Sequence, residues 1–253
     1  MTSVAFAYLS PIKSLSFQSA QTLIIKKDIG IEEDRIFAFS RGLNEVDAKR
    51  IEKEPSDREL IHFLTLKNSP SLNKYDFKFE NQSITIFKEN KEIASYSIYD
   101  KENISKKLQK LEPDLLIPTY LLKNQIFPFF DTTNSSSVSN TVSLINLNSI
   151  KDFSNKINKD VEFERFRGNI YVKNLDAFEE RKWINKVISI NKIQFKVLKN
   201  IPRCSATNLK INSSETDINL PNMLRKIYGH IDMGIYLAPL ENGQVKVGDN
   251  VNF

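Results

Sequence analysis

The chain predicts a strand-rich α+β fold, barrel-like rather than built on a parallel doubly wound sheet. Three observations carry this expectation. Period-two alternation of apolar and polar residues recurs in both halves of the 253 residues, helical stripes are few and short, and the 7 glycines form no GxGxxG or GxxxxGK[ST] phosphate loop. A hydrophobic content of 40% with 26% charged residues describes an ordinary globular chain of one large domain or two small ones.

In the first hundred residues Arg35, Phe37 and Phe39 alternate with Ile36 and Ala38. Tyr75, Phe77 and Phe79 alternate with Asp76, Lys78 and Glu80, and Ile84 and Ile86 follow a polar break at Asn81–Gln82. Aromatic and β-branched residues at this period predict half-buried antiparallel strands. Ile104, Leu108 and Leu111 share one face of a helix predicted over 103–111, which Pro113 limits. Prolines 113, 118 and 128 and the polar run Asp131–Ser137 mark a junction, which divides the chain into a smaller strand-rich N-terminal domain, 1–115, and a barrel-like C-terminal domain, 116–253.

The second half opens with the apolar stretch Val142–Ile145. A helix follows over 146–157, with Leu147, Ile150, Phe153 and Ile157 on one face. A strand is predicted over 169–172 and a hairpin over 187–197, turning near Asn191–Lys192. Pro221 suits the first turn of a helix ending at Tyr228, and Gly229 suits its stop. Residues 234–253 predict a hairpin that turns on Asn242–Gly243 as a type I′ pair, between Ile235–Leu237 and Val245–Val247.

Sparse residues close off many chemistries. The single cysteine excludes an internal disulfide, a cysteine-ligated iron–sulfur cluster and a multi-cysteine zinc site, and His62 and His230 lie too far apart for an HExxH pair. The net charge is +5, but 36 Lys+Arg against 31 Asp+Glu are scattered as on a solvated surface, so no nucleic-acid partner is expected. No apolar run approaches a membrane span and Met1–Leu9 lacks the basic start of a signal peptide. A lone thiol fits a reducing compartment, so a cytoplasmic protein without membrane attachment is expected.

Glycines 168, 229, 234, 243 and 248 concentrate special backbone geometry in the last third of the chain. Cys204 lies there, in the loop after a strand pattern ending at Leu198. Arg203 and Lys199 beside it favour a thiolate that ligates metal or attacks an electrophile; an inert core thiol is the other reading. Arg167 and Asn169 flank Gly168, and Lys13, Ser14 and Arg35 add polar and cationic groups near the N-terminus. Such groups either grip a phosphate or form ordinary surface ion pairs.

Taken in order, Pro11-Ile-Lys-Ser14, Asp34-Arg-Ile-Phe37, Phe166-Arg-Gly-Asn-Ile170, Phe178-Glu-Glu-Arg-Lys-Trp183, Arg203-Cys-Ser-Ala-Thr207, Asp217-Ile-Asn-Leu-Pro221, Gly229-His-Ile-Asp232, Gly234-Ile-Tyr236 and Val247-Gly-Asp249 resemble the MOSC family. The family is named after the C-terminal domain of molybdenum cofactor sulfurase. The resemblance is to its two-part form with an N-terminal MOSC-associated domain, which includes the mitochondrial amidoxime-reducing component and bacterial relatives. It implies a molybdenum–molybdopterin cofactor with Cys204 as thiolate ligand to the metal. By the same resemblance Lys13, Ser14, Arg35, Arg167, Asn169 and Arg203 fall among the groups that grip the phosphate and pterin, and Asn140, Thr141, Pro202 and Tyr236 on wall or backbone-contact positions. Asn140–Thr141 replaces a Ser-Pro pair of the mitochondrial proteins. Pyridoxal phosphate binding comes with the resemblance as a family-level association only.

The activity so implied is reduction of the N–O bond of an N-hydroxylated compound, with electrons from a separate ferredoxin, flavin or haem reductase. Two alternatives stay open: a sulfur carrier or transferase with a persulfide on Cys204, and a non-catalytic cofactor carrier. His230 either delivers a proton near the metal or caps the preceding helix. Asp217 reads as a turn or helix-entry residue rather than a catalytic acid, Glu179 and Glu180 either orient Arg167 or stay solvated, and Trp183 reads as core.

Overall fold

A computed structural model describes residues 1–112, 114–115, 118–130 and 140–253; Pro113 and the run Asp131–Ser137 lie outside the described residues. The N-terminal part contains β1 (Ser3–Leu9), β2 (Gln18–Ser19), β3 (Thr22–Lys26), β4 (Gly30–Ile31), β5 (Phe37–Phe39), α1 (Glu45–Lys53), β6 (Tyr75–Glu80), β7 (Ser83–Lys88), β8 (Lys91–Ser97), α2 (Lys101–Leu111) and β9 (Leu121–Lys123). There follow β10 (Val142–Asn146), α3 (Leu147–Ile157), β11 (Ile170–Lys173), β12 (Val187–Ile190), β13 (Ile193–Pro202), α4 (Leu220–Tyr228), β14 (Asp232–Pro239), β15 (Gly243–Lys246) and β16 (Val251–Asn252).

An eight-stranded sheet runs β16-β12-β13-β14-β10-β11-β1-β2, with only β10 and β11 parallel. It curls around one apolar interior, so the expected strand-rich, barrel-like α+β class is what the chain forms. Alternation along each strand sorts side chains between two cores. Leu144, Ile170, Val172, Ile235 and Leu237 face the barrel interior together with Leu23 and Ile25 of β3 and Val245 of β15. Ile145, Tyr171 and Met233 point the other way, where α3 and α4 cover them with Ile150, Phe153, Leu220 and Leu224. Both faces of β10 are thus buried.

A meander of β6, β7 and β8 packs with α2 and the β5–β9 pair around a third core that contains Phe37, Phe77, Ile84, Ile86 and Leu108. Leu209, a few residues past Cys204, is buried in this core and Ala206 packs on it. Strand pairings also cross the division expected after residue 115: β1 lies against β11, and β3 against β15. The two halves therefore meet through both backbone and side chains around the cysteine loop.

Two expectations need correction. The hairpin over 234–253 does not form: β14 lies between β10 and β13, while β15 crosses to β3, with Gly243 opposite Ile25. Neither Asn242 nor Gly243 has the positive φ of a type I′ turn, and the Asn242 Oδ1 instead accepts the Lys27 amide at 2.8 Å. Burial of Val245 between the barrel sheets outweighs the local turn preference. In the second case, β5 is buried at all three positions rather than half-buried, because the third core and a smaller one beside α1 claim its opposite faces. The helix over 220–228 forms as expected, with Gly229 at φ 76° closing it.

Gly234 adopts φ +86°, and a Cβ there would lie 2.4 Å from the Leu144 carbonyl oxygen of β10. Strain and clash add at this position. Gly234→Ala is expected to destabilise the fold by about 2 kcal/mol or more, read as a lowered denaturant midpoint with an unchanged slope; an unshifted midpoint would contradict this close strand approach.

Candidate functional site

The loop after β1 forms the first wall. Lys13 is buried, and its ammonium donates to the carbonyls of Phe130 at 2.9 Å and Phe129 at 3.3 Å while lying 5.7 Å from the Phe63 ring centre. Ser14 has a left-handed backbone (φ 64°) and is half-buried. Ser16 folds its hydroxyl back onto the Ile12 amide at 2.7 Å, and its carbonyl accepts from the Arg167 guanidinium at 2.6 Å. Arg167, itself left-handed at φ 48°, lies over the Phe17 ring at 5.3 Å.

Asp34 is the buried anion of the region. It accepts from the Ser10 amide at 2.6 Å, from the Arg35 guanidinium and from the Asn169 side chain at 3.4 Å. Arg35 stacks over Phe130 at 5.2 Å, so it converges with Lys13 on the same segment. Asn169 is buried, and its Oδ1 accepts both the Ser143 amide at 3.1 Å and the Ser143 hydroxyl at 2.8 Å, while its Nδ2 also donates to the Tyr8 carbonyl at 3.3 Å. Instead of facing open space, it cross-links β1, β10 and β11.

The cysteine loop follows the end of β13. Bulges in β13 after Val197 and after Asn200 turn the strand end before Pro202 pairs with Asp232. The Arg203 guanidinium donates to the Met233 carbonyl at 2.9 Å through Nε and again through Nη2, and to the Phe166 carbonyl at 2.9 Å through Nη1. Cys204 is exposed, and its own carbonyl accepts the Thr207 amide at 3.1 Å and hydroxyl at 2.8 Å. The core-thiol reading is thereby set aside. Among the described residues no group of three or more His, Cys, Asp and Glu gathers that could hold a metal ion.

A cleft of about 430 Å³ is bordered by Ser14, Phe17, Asp76 and Lys78 from one half and by Arg167 and Asn212 from the other; Cys204 does not line it. Asn212 belongs to the segment that leads on from Cys204. Thr141 is buried and Asn140 half-buried; Asn140 has φ 63°, donates to the Asp28 carbonyl and backs onto Gly30. Tyr236 is half-buried on β14, opposite Ser143 and Lys199. Lys13, Arg35, Asn169 and Arg167 thus belong to one contact network around the joint, Ser14 borders the cleft beside it, and Arg203 ties the residue before Cys204 to it through Phe166.

His230 occupies a different setting. Its Nδ1 accepts the Asp232 amide at 3.2 Å, and its ring lies 5.8 Å from both the Tyr228 and the Phe178 rings. Burial, seconded by the Arg181 charge, lowers its pKa and favours the neutral ring. Asp217 binds Arg165 through both oxygens, at 2.6 and 3.0 Å, and Arg165 holds its pKa low. Trp183 is core, stacked on Phe253 at 4.3 Å. Neither glutamate orients Arg167: Glu179 pairs with Lys182 at 2.5 Å, and Glu180 is buried, accepting from Asn146 and Ser149 at 3.0 Å.

Two contributors escaped the sequence. Asp34 was embedded in a string read for its arginine. Arg58 resembled surface charge, yet it is buried against the carbonyls of Ile51, Glu52, Phe127 and Pro128 and stacks 4.2 Å from Phe129. Burial pushes its pKa down to about 10. Arg58 and Lys13 together hold the segment 127–130.

The chain thus combines a curled strand barrel with an exposed thiol at a strand end. Residues 131–252 match the family model described as MOSC domain, and this part of the chain is a MOSC domain. The chain is 28% identical to mitochondrial amidoxime reducing component 2 of Bos taurus over 142 residues, which is 51% of this chain and 42% of that protein. It is 30% identical to the protein of the same name from Macaca fascicularis over 115 residues, 41% of this chain and 34% of that one. The chain therefore spans less than half the length of these curated relatives. Among solved structures, YuaD from Bacillus subtilis aligns over 99% of this chain and 94% of its own at 11% identity and TM-score 0.45. YiiM from Geobacillus stearothermophilus aligns over 44% and 52% at 14% identity and TM-score 0.36. Among the described residues no helix is long and apolar enough to cross a membrane.

Burial raises the Glu180 pKa above the ordinary glutamate range. The folded state then holds a proton that the unfolded state has released, so this group's contribution to stability falls as pH rises from the unfolded pKa through the folded one. Unfolding free energies of the wild type and Glu180→Gln, compared from about pH 4 to about pH 8, are expected to shift progressively in favour of the variant. Parallel curves would contradict the desolvated carboxylate.

Proposed function

We propose that this chain binds a molybdenum–molybdopterin cofactor with Cys204 as the protein ligand to the metal, and that it reduces the N–O bond of N-hydroxylated compounds. The observation that carries the reading is the exposed Cys204 thiol, next in the chain to the Arg203 clamp, which reaches the Phe166 carbonyl one residue before Arg167 of the cleft. The donor set suits the group: a soft thiolate for molybdenum, and a guanidinium with a hydroxyl for a phosphate. When bound, the cofactor supplies oxygen-atom transfer.

The chain's own residues divide the work of holding it. Ser14 and Arg167 border the cleft and would hold the anionic end of the cofactor. Lys13, Arg35 and Arg203 contribute positive charge from within the walls. Thr141, Asn140, Pro202 and Tyr236 shape the surrounding surface. Asn169 acts as a positioning residue, through Asp34 and Ser143, and His230 shapes the turn before β14. The names of the amidoxime reducing relatives support an N-hydroxylated substrate. Conversion of N–OH to N–H and water consumes two electrons and two protons, and a separate ferredoxin, flavin or haem reductase supplies the electrons. A reducing compartment keeps the Cys204 sulfur from being oxidised.

The reading is tested on protein purified from a host that makes the cofactor. Molybdenum and pterin are expected at about one per chain in the wild type and lost in Cys204→Ser, while Arg167→Gln lowers cofactor affinity roughly tenfold at unchanged melting temperature. Reduction of a hydroxylamine or amidoxime by an artificial electron donor then separates an enzyme from a cofactor carrier. A metal-free protein bearing sulfane sulfur on Cys204 would replace the reading with sulfur transfer.

A further inference from the structure

Two buried polar atoms have no hydrogen-bond partner among the described residues: Nε1 of Trp183 and Oδ1 of Asn200. One is a donor and the other an acceptor. Chain geometry brings them to the same end of the barrel. Upstream of β12 the backbone already runs beside β13: the Asn185 amide donates to the Val197 carbonyl at 3.0 Å, and the Val197 amide to the Lys186 carbonyl at 2.9 Å. On the other side of Trp183, Arg181 binds Asp232 at 2.7 Å, and Asp232 pairs with Pro202. Trp183 is thereby bracketed alongside Lys199 and Asn200. Asn200 stands opposite Ile235 in the ladder, and directly paired residues project to the same face of a sheet. Ile235 faces the barrel interior, in the core that also contains Trp183.

Neither atom can turn away to water. Trp183 is fully buried, and its ring stacks on Phe253 at 4.3 Å. Asn200 is half-buried, yet its Oδ1 is closed off from solvent. The two atoms do not bond to each other, so a gap separates them. The ladder also opens at this point, because Met233 and Gly234 of β14 stand against Ile201 alone. Leaving both atoms unmet would forfeit the hydration of each. The amide oxygen repels an anion and the indole N–H repels a cation. What matches the pair is a small neutral molecule that accepts one hydrogen bond and donates another.

We propose that this gap is a binding site for one water molecule, which accepts from the Trp183 indole and donates to Asn200 Oδ1. The water ties the segment before β12 to the end of β13, just ahead of Arg203 and Cys204. This inference is independent of the reduction reading and holds with or without a bound cofactor.

Trp183 is the single tryptophan of the chain, so its indole N–H gives one unambiguous resonance. Water-selective NOE and ROE spectra of the isotope-labelled full chain are expected to show a cross-peak from water to this proton. Opposite signs in the two spectra mark a held water rather than proton exchange. Asn200→Leu, close in size but without the acceptor, is expected to lose the cross-peak and move the indole proton upfield. Asn200→Asp keeps an oxygen in place and is expected to retain the cross-peak, with the proton moved downfield through the more strongly polarised water. A wild-type indole proton without the water cross-peak, or in NOE contact with the Asn200 side-chain amide protons in its place, would overturn the proposal. So would a cross-peak that survives Asn200→Leu unchanged. Should Asn200→Leu not fold, an indole resonance unmoved in Asn200→Asp would overturn the bridge alone.

Discussion

The Arg203 clamp is the interaction on which the site depends. One planar guanidinium joins the Met233 carbonyl of β14 to the Phe166 carbonyl, the residue before Arg167. The same residue leads directly into Cys204, so the thiol and Arg167 are positioned by a single rigid fork. Charge-assisted hydrogen bonds of this kind are worth about 1.5–3 kcal/mol each, and a lysine ammonium could not span both carbonyls in fixed geometry. Gly234 serves the same end from the other side. Its bare backbone lets β14 press against β10, which fixes the Met233 carbonyl that the clamp uses.

Cations in this molecule fall into two physical classes. Arg165 is neutralised by Glu162 and Asp217, and contributes ordinary ion-pair stability. Arg58 instead donates to the carbonyls of Ile51, Glu52, Phe127 and Pro128, which satisfy its hydrogen bonds without adding a full opposite charge. Lys13 and Arg203 also reach backbone carbonyls, those of Phe129 and Phe130 and those of Met233 and Phe166. Such donors tie loops and strand ends together through the main chain, so their positions follow the backbone rather than a mobile partner side chain.

Local patterns were legible in the sequence wherever short-range physics dominates. The helix over 220–228 is specified by Pro221, its apolar stripe and Gly229, and the β12–β13 hairpin by alternation around Asn191. The last hairpin was misread because Asn242–Gly243 is a sound local turn signal that loses to long-range pairing of β15 with β3. Periodicity cannot reveal which distant strand will offer the better apolar partner. At the site, Cys204 and Arg167 were recognisable in their strings, whereas Asn169 was assigned to ligand contact but is occupied by Ser143, Tyr8 and Asp34. Arg58 carried no signal at all, since burial is a property of the fold and not of its neighbours in sequence.

The joint between the halves explains why the chemistry gathers where it does. β1 is an N-terminal strand in the C-terminal sheet, and Leu209, downstream of Cys204, is buried among residues of the N-terminal meander. Each half thereby carries a segment of the other, and neither can shift without disturbing the loop between Arg203 and Leu209. A polar cleft between rigid bodies ordinarily invites hinge motion. Here the exchange of segments opposes it, and the walls bearing Asp76 and Arg167 are held at a spacing set by two apolar cores.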